Sequence, residues 1–62
     1  GLALEAGHPQ DPADSLYRAA VQRLNQDEYR RAAEMFARIQ ARYPRSNYAA
    51  QALYYQAFAL YR

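Results

Sequence analysis

The chain has no cysteine, no lysine and no tryptophan, and its two glycines are Gly1 and Gly7. Without cysteine there is neither a disulfide staple nor a thiolate metal site. His8 is the only histidine, and a lone imidazole in a Gly-His-Pro segment cannot build a zinc site without several carboxylates beside it. Its place near the start also leaves no Ser/His/Asp or Cys/His set for nucleophilic catalysis. With no glycine after Gly7 there is no glycine-rich phosphate loop. Paired acids such as Asp11 with Asp14, or Asp27 with Glu28, fall at helix starts, where capping accounts for them. No enzyme and no cofactor are expected.

Charge and hydrophobicity exclude two further classes. All eight basic residues are arginine and the net charge is +2, too little to argue for nucleic acid by itself. No apolar run approaches the ~20 residues that a membrane-spanning helix requires, so direct membrane insertion is not expected. The chain does not begin with Met and reads as a processed or excised piece. At 62 residues it forms one domain at most and buries only about 60% of its unfolded surface. With no staple available, association or a larger parent protein must complete its core.

What is present is helix. Residues 1–10 read as a flexible leader, since Gly7 and Pro9 stop any helix there. Asp11-Pro12-Ala13-Asp14 is a start signal, with Asp11 as cap, Pro12 at the first helical position and Asp14 favoured by the helix dipole. Leu16, Ala19, Ala20 and Leu24 then share one face, with Tyr17 and Val21 beside it, which predicts a helix over 12–25. A second helix is expected over 27–43. It sets Tyr29, Ala32, Ala33, Phe36, Ile39 and Tyr43 on one side and Asp27, Arg30, Arg31, Glu34, Arg38 and Arg42 on the other. Asp27 is spaced to pair with Arg31, and Pro44 ends the helix. The arginine side is mixed with acids and carries no interleaved aromatic for base stacking, so it reads as a solvated face and not a nucleic-acid surface.

Ser46 or Asn47 caps a third helix over 47–62, and this one differs. Ala49, Ala50, Ala52, Leu53, Tyr54, Tyr55, Ala57, Phe58, Ala59, Leu60 and Tyr61 run round every side. A helix apolar all round expects neighbours on more than one side, and two preceding helices cannot surround it. Sliding the chain on itself by 37 residues aligns Leu16 with Leu53, Tyr17 with Tyr54, Ala20 with Ala57 and Leu24 with Tyr61. The first and third helices are therefore equivalent, as in a helical solenoid.

The segment Leu16 to Pro44 resembles one tetratricopeptide repeat. Ala20 holds its small position, and Tyr29, Ala32, Phe36 and Pro44 its aromatic, small, aromatic and closing-proline positions. Arg23 departs from an aromatic position and Asp27 from the turn glycine. The stretch Tyr43-Pro44-x-Ser46-x-Tyr48-Ala49-x-x-Ala52-x-Tyr54 is similar to the repeats of bacterial envelope proteins, the Tol-Pal-associated periplasmic coordinator and the outer-membrane assembly lipoprotein. The resemblance covers about residues 13–62.

The expected fold is thus all-α: an antiparallel hairpin of tetratricopeptide type plus a third helix, one and a half repeats of an α-solenoid. The small residues Ala20, Ala32 and Ala57 suit helix axes that approach to about 8–10 Å. The resemblance implies a protein-interaction module within a longer array, with a protein or peptide partner and a bacterial envelope setting. A cytoplasmic regulatory or assembly protein with the same repeats is the alternative. It also implies that Tyr17, Val21, Leu24, Tyr54, Phe58 and Tyr61 face a partner, although helical aromatic stripes also commonly pack as core. The unpartnered third helix further predicts that the isolated chain is a homodimer or higher oligomer.

Overall fold

The computed structural model describes residues 11–62, so the expected leader and His8 lie outside it. Three helices succeed one another: α1 (Asp14–Asn25), α2 (Tyr29–Arg42) and α3 (Ala49–Tyr61). No strand occurs among the described residues. The fold is the expected all-α one, an antiparallel hairpin with a third helix packed back on it. α2 lies in the middle and packs against both neighbours, while α1 and α3 touch each other little.

α1 begins two residues later than the start signal suggests, because Asp11 works one turn ahead of the helix. Its Oδ1 accepts the Ala13 N–H at 2.9 Å, and its carbonyl accepts the Asp14 N–H at 2.9 Å. The turn so formed feeds Asp14 into the helix, where it pairs with Arg18 one turn on at 3.0 Å. The same Asp11 carboxylate reaches across the chain. Ser46 donates its hydroxyl to Asp11 Oδ1 at 2.8 Å, and the Asn47 N–H donates to Oδ2 at 3.0 Å. The Tyr48 hydroxyl donates to Asp14. Asp11 and Asp14 thereby tie the start of α1 to the turn before α3. Ser46 meanwhile accepts the Tyr48 N–H at 3.0 Å and sets the entry to α3.

The turn between α1 and α2 explains Asp27. Its φ is 62°, the left-handed region. The Glu28 N–H donates to the Arg23 carbonyl at 2.9 Å and the Asp27 N–H to the Leu24 carbonyl at 3.1 Å. This pair of bonds is the Schellman ending, which favours glycine at its left-handed residue. Because Asp27 lies outside α2, it does not make the expected pair with Arg31; its Oδ1 accepts the Tyr29 hydroxyl at 2.8 Å instead. Arg31 pairs with Glu28 at 3.8 Å, and Glu28 also meets Arg23 at 3.4 Å.

The core is a layer of alanines and rings. Ala13, Ala20, Ala32 and Ala52 are fully buried, as are Phe36 and Ile39. Buried alanines let helix axes approach closely, and the rings fill what is left between them. Phe36, on α2, meets Tyr17 of α1 edge-on at 6.0 Å and Tyr55 of α3 in a stack at 5.9 Å. Tyr17 also stacks on Tyr48 at 4.3 Å. One ring on the middle helix thus joins both outer helices.

Candidate functional site: the outward face of α3

α3 buries one side only. Ala52 and Ala59 are buried, with Tyr48 just before the helix buried and Tyr55 half-buried beside them. The opposite side is open. Leu53 is 58% exposed, Tyr54 65%, Leu60 66% and Tyr61 90%, and Phe58, Ala50 and Ala57 are exposed as well. The described residues therefore carry a strip of large apolar side chains along the whole of α3. Few charges border it. α3 itself holds no acid or base, and Arg62, just past its end, lies over the rings of Tyr29 and Phe58 at 5.5 and 5.7 Å. Tyr54 and Phe58 each sit edge-on to Tyr55, at 5.0 and 6.4 Å, which anchors them to the packed side of the helix.

The 37-residue register explains the strip. Tyr17, Ala20 and Leu24 are the buried residues of α1, and Ala13 just before it is buried with them. Their mates one shift later are Ala50, Tyr54, Ala57 and Tyr61, and all four are exposed. In the other direction, Ala52, Tyr55 and Ala59 of α3 map back onto Ser15, Arg18 and Gln22, which are exposed and polar. α2 therefore meets opposite faces of two equivalent helices. The face left over on α1 is hydrophilic; the face left over on α3 is greasy.

The six residues expected to face a partner are three register pairs, and the pairs divide. Tyr17 and Leu24, each 4% exposed, are core. Phe36 of α2 and Tyr48 before α3 both pack on Tyr17, so the expectation that these two residues face an outside partner gives way to a packing role. Val21 is half-buried at the edge of that core. Tyr54, Phe58 and Tyr61 lie together on the exposed strip. Leu53 and Leu60 share the strip, although the family resemblance did not single them out. A signal for Leu53 was present in the sequence: it is the register mate of Leu16, which flanks the face that α2 covers on α1. Ala57, expected to be small for close helix approach, is exposed, because no described helix approaches it.

One other concavity, of about 360 Å³, lies where the turn before α3 meets the start of α1, lined by Asp11, Pro12, Arg42, Tyr43, Pro44 and Ser46 among others. Its acid, Asp11, is already engaged by Ser46 and Asn47. Among the described residues no helix is long and apolar enough to cross a membrane.

Comparison with known proteins agrees with the repeat reading. Residues 9–62 match the model of the family described as YfiO, outer membrane lipoprotein. Neither the curated proteins nor the solved structures give a match to the chain.

Proposed function

The chain belongs to the YfiO outer membrane lipoprotein family, and from that premise we propose that it is a protein-interaction module of outer-membrane assembly type, built as part of a longer helical-repeat array in the bacterial envelope. It acts by docking another protein chain and carries out no catalysis of its own. The observation that supports this reading is the exposed strip Leu53, Tyr54, Phe58, Leu60 and Tyr61. Covering such a side chain is worth roughly 1.5–3 kcal/mol when burial is complete. Five of them on one helix exceed what a small soluble domain scatters over its surface. The anchors also suit binding. Tyrosine brings a large contact area with only two side-chain torsions to freeze, and its hydroxyl keeps the free surface tolerable in water.

In isolation the strip has only itself to meet, so the 62-residue chain self-associates through α3 as a dimer or higher oligomer. Light scattering over a concentration series tests this. The expected mass rises above the 7.2 kDa of one chain as concentration reaches the high micromolar range, and falls back to one chain in a Tyr54→Arg variant that keeps its helical circular dichroism. A mass of one chain at every concentration overturns the proposal that this strip requires a cover.

A further inference from the structure

Resting on the envelope setting proposed above, and not on the α3 strip, we propose that the outer face of α2 docks on an anionic phospholipid surface, with Arg30, Arg38, Arg42 and Arg45 meeting the headgroup phosphates. The fold leaves its uncompensated charge there. Of the eight arginines, Arg18 pairs with Asp14, Arg23 and Arg31 share Glu28, and Arg62 lies over the rings of Tyr29 and Phe58. Arg30, Arg38, Arg42 and Arg45 are exposed and make no ion pair among the described residues. Arg30, Glu34, Arg38 and Arg42 form a row with a four-residue step on the side of α2 opposite the buried Ala32, Ala33, Phe36 and Ile39. The row is about 18 Å long at 1.5 Å per residue, and Arg45 follows in the turn. The sequence spacing mixes more acid into this face than the fold keeps. Asp27 lies before α2 and accepts the Tyr29 hydroxyl, so Glu34 is the one acid left in the row.

Chemistry favours a lipid surface over other anionic occupants. A protein hot spot needs an aromatic or aliphatic anchor at the centre of the contact. The exposed residues of α2 are Arg30, Arg31, Glu34, Arg38, Ala41 and Arg42, and Ala41 is no such anchor. Single-stranded nucleic acid needs rings to stack on, and this face has none. A charged lipid surface asks for neither, only for basic side chains spread over a face. Because α1 and α3 pack on the other side of α2, and α3 turns its strip away from α2, docking by the arginine face leaves that strip clear for protein.

Vesicles of phosphatidylcholine and phosphatidylglycerol serve as the probe, with phosphatidylcholine alone as reference, and the 62-residue chain is measured by co-sedimentation. Binding is expected to rise with the phosphatidylglycerol fraction, to be absent on phosphatidylcholine, and to weaken at least about tenfold between about 0.05 and 0.5 M salt. Arg38→Gln and Arg42→Gln each weaken it about fivefold, the effect of one basic side chain near a charged lipid surface. Glu34→Gln strengthens it by a similar factor. Arg62→Gln, at a residue held over Tyr29 on the packed side of α2, changes it by less than about twofold. All four sites are exposed, so each variant keeps its helical circular dichroism. Equal binding to phosphatidylcholine alone makes the apolar α3 strip the adsorbing surface and overturns the proposal. So does an equal loss for Arg62→Gln, which makes net charge the cause. Duplex DNA or poly-glutamate bound more tightly than the vesicles through the same arginines overturns it in favour of a polymeric partner. A chain that ignores the anionic vesicles yet gains mass in lipid-free light scattering loses this surface and keeps the α3 docking. One that binds them but stays at the mass of one chain does the reverse.

Discussion

Ala20 and Ala57 are the same residue in the same position of two equivalent helices, yet one is sealed in the core and the other faces water. The same holds for Tyr17, 4% exposed, and Tyr54, 65% exposed. Composition does not separate these pairs, and helix propensity does not either. Position relative to α2 does. The pairs teach that a coverable face is a property of the repeat, while its being covered is a property of the helix packed beside it. The outward side of α1, with Ser15, Arg18 and Gln22, shows a face that needs no neighbour. At the equivalent places α3 has Ala52, Tyr55 and Ala59 turned inward onto α2, and it exposes the coverable face instead.

The largest test of this contrast removes one ring from each helix. Tyr17→Ala takes away a buried ring that meets both Phe36 and Tyr48. It is expected to cost about 3–5 kcal/mol, as for other buried aromatics. That approaches the whole stability of a domain this size, so thermal or urea unfolding should show little folded chain. Tyr54→Ala should leave unfolding of the dilute chain within about 0.5 kcal/mol. Equal losses at the two positions would break the contrast, because Tyr54 would then be core.

The alanines give a second, smaller version. Ala20→Leu forces extra methylenes into a fully buried contact and should cost about 1–3 kcal/mol. Ala57→Leu adds the same atoms on the open strip and should change dilute-chain stability by less than about 0.5 kcal/mol. Urea midpoints of the two variants decide the matter. A comparable loss for Ala57→Leu would mean that the α3 strip is covered in the dilute chain.

Much of this was legible in the sequence. The periodicity of Ala32, Ala33, Phe36 and Ile39 identified the covered face of α2, and the 37-residue register identified α1 and α3 as equivalents. The apolar circumference of α3 signalled a missing neighbour. What the register could not say is which of two equivalent faces meets α2. That depends on the order of packing, and so Tyr17 and Leu24 could not be told from Tyr54 and Tyr61 by spacing alone. The long-range bonds of Asp11 were equally out of reach. A capping acid can be read from Asp-Pro-Ala-Asp, but its second use, holding Ser46 and Asn47 some thirty-five residues away, arises only from the closure of the fold.

That second use makes Asp11 the next test. It lies at the start of α1 yet fixes the turn that delivers α3, so it ties the covered helix to the uncovered one. Asp11→Ala removes the acceptor for Ala13, Ser46 and Asn47 together. A lost cap costs about 0.5–2 kcal/mol, and the expected loss lies at the upper end of that range. Amide exchange should accelerate at Asn47 and Tyr48 as well as at Ala13. Acceleration confined to α1 would show that α3 keeps its place by apolar packing on α2 alone.

The smallest effect concerns why α1 has its cover and α3 does not. The helix that seals α1 is tethered to it by the turn Gln26, Asp27 and Glu28, whereas any helix that seals α3 must come from outside the described residues. The tether is not optimal. Asp27 holds φ at 62°, a conformation that a residue with a Cβ adopts at some cost and glycine adopts freely. Asp27→Gly relieves that cost but gives up the Tyr29 hydroxyl bond, which is exposed and so of small value. The net expectation is a gain of about 0.5–1 kcal/mol, read as a higher thermal midpoint with the self-association of α3 unchanged. A gain in folding that also weakened self-association would show that the two faces are coupled through α2. Each would then report on the other, and the contrast between them would be one of degree.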